Sequence, residues 1–251
     1  MEKTFKLTIQ YDGTDYHGWQ RQPGLATIQG ELEKLLSMIT RQQVIIEGSG
    51  RTDSGVHALG QVASFSVDTG LCAGDFFRAL NGLLPGDICI TECKEVANGF
   101  HARFDAVGKT YRYCILNRIL RDPFKRKYIW QFQKRLDLEA MKEAAEYFVG
   151  EYDFKSFENA GSPRLHTVRH ISSAVFKKAD GGMIHFEVTA NGFLQNMVRN
   201  IVGTLVDVGM SRTRPKEIKD IIAAKDRTKA GPTAPPLGLF LLEVYYPDQF
   251  M

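Results

Sequence analysis

Val168-Arg-His-Ile-Ser-Ser-Ala-Val-Phe-Lys-Lys-Ala-Asp-Gly-Gly-Met-Ile-His-Phe-Glu-Val-Thr189 is the stretch that decides the fold class. Strand patterns over residues 168–176 and 183–189 flank Asp180-Gly181, a dipeptide that accepts the positive φ of a tight hairpin turn. A hairpin makes its two strands antiparallel. Downstream, Leu194, Met197, Val198, Ile201, Val202, Leu205 and Val206 keep helical i, i+3, i+4 spacing and leave Gln195 and Arg199 off the apolar stripe. Upstream, Tyr111, Tyr113 and Ile115 alternate on a strand that starts at Lys109, and residues 128–132 give another. Asp137 can cap a helix carrying Leu138, Met141, Ala144, Ala145 and Phe148, with Gly150 as its stop. Pro215 opens a short helix and residues 238–245 form a closing strand.

The N-terminal half reads β-α-β-β-α-β. Phe5, Leu7, Ile9 and Tyr11 face one side of a first strand, with Lys6, Thr8 and Gln10 on the other. Thr27 caps a helix marked by Ile28, Leu32, Leu35, Leu36 and Ile39. Residues 44–47, 61–67 and 88–96 are strands, and residues 75–81 a short helix ended by Gly82 and Pro85. Hairpin-joined strands mixed with helices favour an α+β fold over a doubly wound parallel sheet. A boundary near Ala106 divides the chain into residues 1–105 and 106–251.

The 251 residues are 43% hydrophobic and 24% charged, an ordinary globular balance that excludes disordered, collagen-like and coiled-coil chains. No apolar run approaches the roughly 18 residues of a membrane helix. The alternating N-terminus is a strand and not a signal peptide. Cys72, Cys89, Cys93 and Cys114 show no CxxC pairing, so a reduced cytoplasmic protein without structural zinc is expected. The net charge of +3 is small. It hides a local excess, however: Arg103, Lys109, Arg112, Arg118, Arg121, Lys125, Arg126, Lys127, Lys134 and Arg135 stand against only Asp105 and Asp122. Such a run is either a solvated strand face or a surface for phosphates.

Three candidate chemistries fail. Gly48-Ser49-Gly50 lacks the third glycine of GxGxxG, because Asp53 stands there, and no Gly-Lys-Ser/Thr follows. His166 and His170 have HxxxH spacing, yet Thr167-Val168-Arg169 between them reads as the start of a strand, which would point the two rings to the same side only loosely. Ser49, Asp53 and His57 crowd one loop without a GxSxG elbow. What remains is Arg51 and Asp53, one residue apart between glycines that permit close approach of a ligand. An arginine within about 4 to 6 Å would hold the carboxylate ionised, as a carboxylate nucleophile requires. The structural alternative is a turn in which Asp53 caps backbone amides.

Five words weigh in the choice: Tyr11-Asp-Gly-Thr-Asp-Tyr-His-Gly-Trp-Gln20, Gly50-Arg-Thr-Asp-Ser-Gly-Val-His-Ala58, Lys109-Thr-Tyr-Arg-Tyr113, Gly192-Phe-Leu-Gln-Asn-Met-Val-Arg199 and Ala234-Pro-Pro-Leu-Gly-Leu239. Together and in this order they resemble the bacterial tRNA pseudouridine synthase A family over nearly the whole chain. Ser54, Ser64 and Met210 depart from the family's usual residues. The resemblance implies two related α+β domains, each a mainly antiparallel sheet with helices on one face, an active-site cleft between them, and a homodimer that grips tRNA. It implies isomerisation of uridines 38 to 40 in the tRNA anticodon stem-loop without any cofactor. Asp53 would be the nucleophile, with Arg51 in the same loop, Tyr111 against the uracil and Arg199 beside the aspartate. Lys109 and Arg112 would hold substrate phosphates. A catalytically idle RNA-binding module is the competing reading, and a protein-interaction scaffold a third.

Overall fold

The computed structural model describes residues 2–159, 161 and 166–248. They form a mixed α+β structure in which most strand pairs are antiparallel. Two compact units result, Met1–Val107 with Phe240–Met251, and Gly108–Leu239.

In the first unit the strands are β1 (Glu2–Tyr11), β2 (Glu47–Gly48), β3 (His57–Asp68) and β4 (Ile88–Val96), with helices α1 (Ile28–Thr40) and α2 (Ala73–Leu83). The central β1 pairs antiparallel with β3 and β4, Phe5 opposite Phe65 and Glu95. Phe5, Phe65 and Phe76 form an aromatic core with ring centroids 4.7 to 5.3 Å apart. On α1, Ile28, Leu32 and Leu36 are fully buried, and the Thr27 hydroxyl accepts the Gly30 amide at 3.3 Å, the expected cap.

One buried charge and one changed expectation stand out here. Lys6, on the face opposite Phe5 and Leu7, is buried beneath the rings of Phe100 and Tyr246. Burial pushes its ammonium below the usual lysine range. Of residues 44–47 only Glu47 joins a strand. The Val44 amide goes to Ser37 Oγ and the Ile46 amide to Glu33 Oε1, both on α1, so neither donor is left for a ladder.

In the second unit, β5 (Gly108–Asn117) pairs antiparallel with the strand over Met183–Ala190, which pairs in turn with the strand over Val168–Lys178. In chain order the remaining elements are β6 (Trp130–Phe132), α3 (Leu138–Glu146), β7 (Gly150–Asp153), β8 (Val168–Lys178), β9 (Met183–Ala190), α4 (Met197–Gly209), α5 (Glu217–Ala224) and β10 (Leu239–Tyr245). The Asp180 turn forms as expected, with Gly181 and Gly182 both at positive φ. Helix α4 is buried nearly all round, and a Cβ on Gly203 would meet the Pro232 carbonyl at 1.6 Å, so only glycine fits there.

The α3 helix ends at Glu146 and not at Gly150, because Tyr147, Phe148 and Val149 donate to carbonyls three residues back and tighten the last turn. Gly150, at φ +125°, instead starts β7, a strand the sequence pattern does not announce. Helix α4 starts at Met197, after Leu194, since Asn196 in front of it is left-handed. From Phe240 onward β10 belongs to the first unit, where it runs parallel to β3 with Phe240 opposite His57.

Candidate active site

In the first unit the loop between β2 and β3 is held by polar contacts to the strands beside it. Gly48 lies under the Trp19 indole, where a Cβ would come within 2.5 Å of the ring. Ser49 is fully buried, its amide donating to the Val62 carbonyl at 2.7 Å and its hydroxyl to Gln61 Oε1 at 2.7 Å. The Gln61 amide nitrogen donates to the Gly50 carbonyl at 2.9 Å. The Thr52 hydroxyl shares a 2.8 Å hydrogen bond with the Tyr11 phenol, and the Thr52 carbonyl accepts the Trp19 amide at 3.1 Å.

The Tyr11 to Gln20 segment braces the rest of the loop. A Cβ on Gly13 would sit 2.0 Å from the Val56 carbonyl, and one on Gly18, at φ +87°, 2.6 Å from the Thr52 carbonyl. The Asp53 carbonyl accepts the Val56 amide at 3.1 Å, closing a tight turn whose third residue, Gly55, has positive φ. His57 is buried, with Nδ1 3.1 Å from both the Gly13 amide and an Asp12 carboxylate oxygen, and its ring stacks on Phe240.

Against this fixed backbone the Asp53 side chain is half-buried. Arg51 is exposed and makes no hydrogen bond or ion pair among the described residues, so it does not pair with Asp53. Thr52 between them is turned inward.

The second unit gathers three of the sequence words around Tyr113 and Arg199. Tyr111 is buried on β5 with its ring edge-on to Phe193 at 5.1 Å. The Tyr113 hydroxyl donates to the Pro235 carbonyl at 2.7 Å, and burial pushes this phenol well above its ordinary range. Arg199, in the first turn of α4, donates from Nε to the Ala234 carbonyl at 2.7 Å and from Nη1 to Asn196 Oδ1 at 2.9 Å. The Ala234 amide returns a bond to the Arg199 carbonyl at 3.1 Å, so the guanidinium is held rigidly at half-burial.

Lys109 is half-buried opposite Ala190. Arg112, next to Tyr111 along an alternating strand, faces the opposite side and donates twice to Glu187 Oε1, at 2.9 and 2.7 Å. Burial alone would raise the Glu187 carboxyl, but hydrogen bonds from Lys177 and Arg112 outweigh it and hold the group below the usual carboxylate range. Arg112 is thus engaged within the protein. Arg121, Lys125, Arg126, Lys127, Lys134 and Arg135 are exposed, beside Phe124 at 90% exposure.

Sequence reasoning did not find Tyr11, Gln61, Trp19, Asn196 or Ala234 as supports, although all but Gln61 lie inside the quoted words. The one signal for Gln61 was an amide on a strand flanked by small and apolar residues.

A family model described as tRNA pseudouridine synthase matches residues 7–105 and 144–247. The tRNA pseudouridine synthase A of Thermoanaerobacter sp. (strain X514) is 45% identical over 240 residues, covering 96% of this chain and 98% of the relative. That of Caldicellulosiruptor bescii is 48% identical over 240 residues, with the same coverage. The tRNA pseudouridine synthase A 2 of Clostridium perfringens is 47% identical over 244 residues, 97% of this chain and 100% of the relative.

The bracing of the loop by Gly18 predicts that Gly18→Ala, combining a disfavoured φ with a backbone clash, destabilises the fold by about 1–3 kcal/mol. Urea unfolding measures it. An unchanged midpoint would show that the Trp19 segment does not support the loop.

Proposed function

The chain belongs to the tRNA pseudouridine synthase A family, and on that premise we propose that it converts uridine to pseudouridine in the tRNA anticodon stem-loop through a covalent step at Asp53. It is an isomerase. The reaction breaks the N1–C1′ bond, joins C1′ to C5 and moves one proton from C5 to N1, so electrons balance without redox cofactor, nucleotide or metal. Uracil is electrophilic at C6 and the ribose at C1′. An ionised carboxylate attacking either atom forms an intermediate that divides the barrier.

The observation that supports Asp53 is the contrast between a backbone fixed at nearly every residue from Gly48 to Val56 and a carboxylate half-buried on it. Preorganisation of that kind lets a side chain attack without first ordering a loop. The target base must leave its stack, at a cost of a few kcal/mol. Arg51, exposed and unpaired among the described residues, is suited to occupy the vacated space.

Tyr111 is the proposed flat partner for the extruded base, since stacking on an aromatic ring contributes about 1 to 3 kcal/mol. Arg199 is the proposed partner of the Asp53 carboxylate; its fixed donors to Ala234 and Asn196 suit a positioning charge. Lys109 and the exposed cations from Arg121 to Arg135 would hold phosphates, which positions the RNA without reading its sequence. The engagement of Arg112 by Glu187 gives it a weaker claim to that role. A homodimer acting in the cytoplasm, made of two related domains with the site in a cleft between them, completes the proposal.

Two measurements test it. Incubated with unmodified tRNA carrying tritium at uridine C5, in chelator and without nucleotides, the protein should release tritium and Asp53→Ala should release none. Equal release rejects the assignment of Asp53, and no release from either leaves an RNA-binding module. The second concerns the basic surface: the logarithm of tRNA affinity should fall linearly with the logarithm of salt, and the slope should flatten in Lys125→Ala/Arg126→Ala/Lys127→Ala. A flat dependence in the unsubstituted protein would remove these residues from RNA binding.

A further inference from the structure

Beneath the loop lies a buried polar cluster that the reaction chemistry does not use. Tyr11, Ser49, Thr52 and Gln61 are each at most 6% exposed, in the first unit's apolar core. The Tyr11 hydroxyl is bonded to Thr52 Oγ1 at 2.8 Å, and the Gln61 side chain also faces that hydroxyl. Gln61 in turn accepts from the Ser49 hydroxyl and from the Val62 amide, at 2.7 and 3.2 Å, while donating to the Gly50 carbonyl.

Burial of the segment does not need these groups. Phenylalanine at position 11 and valine at position 52 have nearly the same shapes, and replacing both partners of a buried hydrogen bond by apolar groups is often close to neutral. What apolar packing cannot supply is direction. A hydrogen bond fixes distance and angle together, whereas the hydrophobic effect is non-directional. Thr52 is the residue between Arg51 and Asp53, so fixing its side chain fixes the peptide planes on either side.

We propose that the Tyr11–Thr52 hydroxyl pair, seated on Gln61 and Ser49, is a positioning device that sets the Asp53 carboxylate for attack. The proposal rests on the reading of Asp53 as nucleophile. Tyr11 and Thr52 are buried and would act through the backbone of the loop. Misplacement of a reacting group by about 1 Å can cost on the order of 100-fold in rate. The expected signature is therefore a loss in kcat with binding preserved.

The experiment measures kcat, KM and tRNA Kd by tritium release and filter binding for Tyr11→Phe, Thr52→Val, the double variant and Thr52→Ser, with Asp53→Ala alongside. Each single variant should lose about 10- to 100-fold in kcat, with KM and Kd within about twofold of the parent. The double variant should lose no more than the worse single one, because the two hydroxyls act as a unit. Thr52→Ser, which keeps the hydroxyl, should recover most of the rate. Full kcat in both single variants, a change confined to KM, or losses that multiply in the double variant would overturn the proposal.

Near-ultraviolet circular dichroism monitors folding. Should Tyr11→Phe fail to fold, Thr52→Val against Thr52→Ser decides. If Asp53→Ala turns over like the parent, the nucleophile reading falls and this proposal with it. If Asp53→Ala is inactive while Tyr11→Phe and Thr52→Val run at full rate, only the positioning proposal falls.

Discussion

Close contact between two pieces of backbone, the end of β1 with its following segment and the loop before β3, is the constraint on which the candidate site depends. At Gly13, Gly18 and Gly48 there is no room for a Cβ: Val56, Thr52 and Trp19 occupy that space. Interiors packed this tightly transmit small displacements instead of absorbing them. The loop is therefore held as a shaped object, and the turn from Asp53 to Val56 closes through the Asp53 carbonyl and the Val56 amide. The carboxylate is thereby carried on a backbone that other residues have already placed.

The second unit applies the same device to different atoms. Three stretches remote in sequence meet where the Ala234–Pro235 backbone accepts from both Arg199 and Tyr113. A Cβ on Gly238 would come within 2.9 Å of the Tyr113 ring, which explains a glycine where the chain turns into β10. Tyr113 thus serves as a buried post, while Tyr111, two residues earlier on the same strand face, carries the aromatic ring proposed for the base. The words that identify the family are largely words about backbone placement, and the chemistry occupies few of their letters.

Much of this was legible in the sequence where a local rule governs. Strand β4 has its expected limits of Ile88 and Val96, because alternation and flanking turn residues agree. Thr27 and Asp137 cap their helices as short polar side chains at N-termini do. Local rules failed where a distant partner decides. Val44 and Ile46 look like strand residues but give their amides to Ser37 and Glu33 on a helix. Lys6 stands on the face opposite Phe5 and Leu7, yet segments near residues 100 and 246 cover it. The site divides in the same way. Arg51, Asp53, Tyr111 and Arg199 stand out by residue type and word, whereas the bond from Tyr11 to Thr52 spans 41 positions and leaves no local trace.

The central claim is that one carboxylate, on a loop whose backbone is already fixed, attacks a uridine taken out of its stack. The most direct measurement is an experimental structure of Asp53→Asn, which keeps the shape and removes the charge, bound to substrate tRNA. The account predicts an extruded uridine with the substituted side chain at position 53 within about 3.5 Å of C6 or C1′, and the loop from Gly48 to Val56 unchanged. A uridine still stacked in the bound RNA, or one extruded toward a different part of the protein, would contradict it.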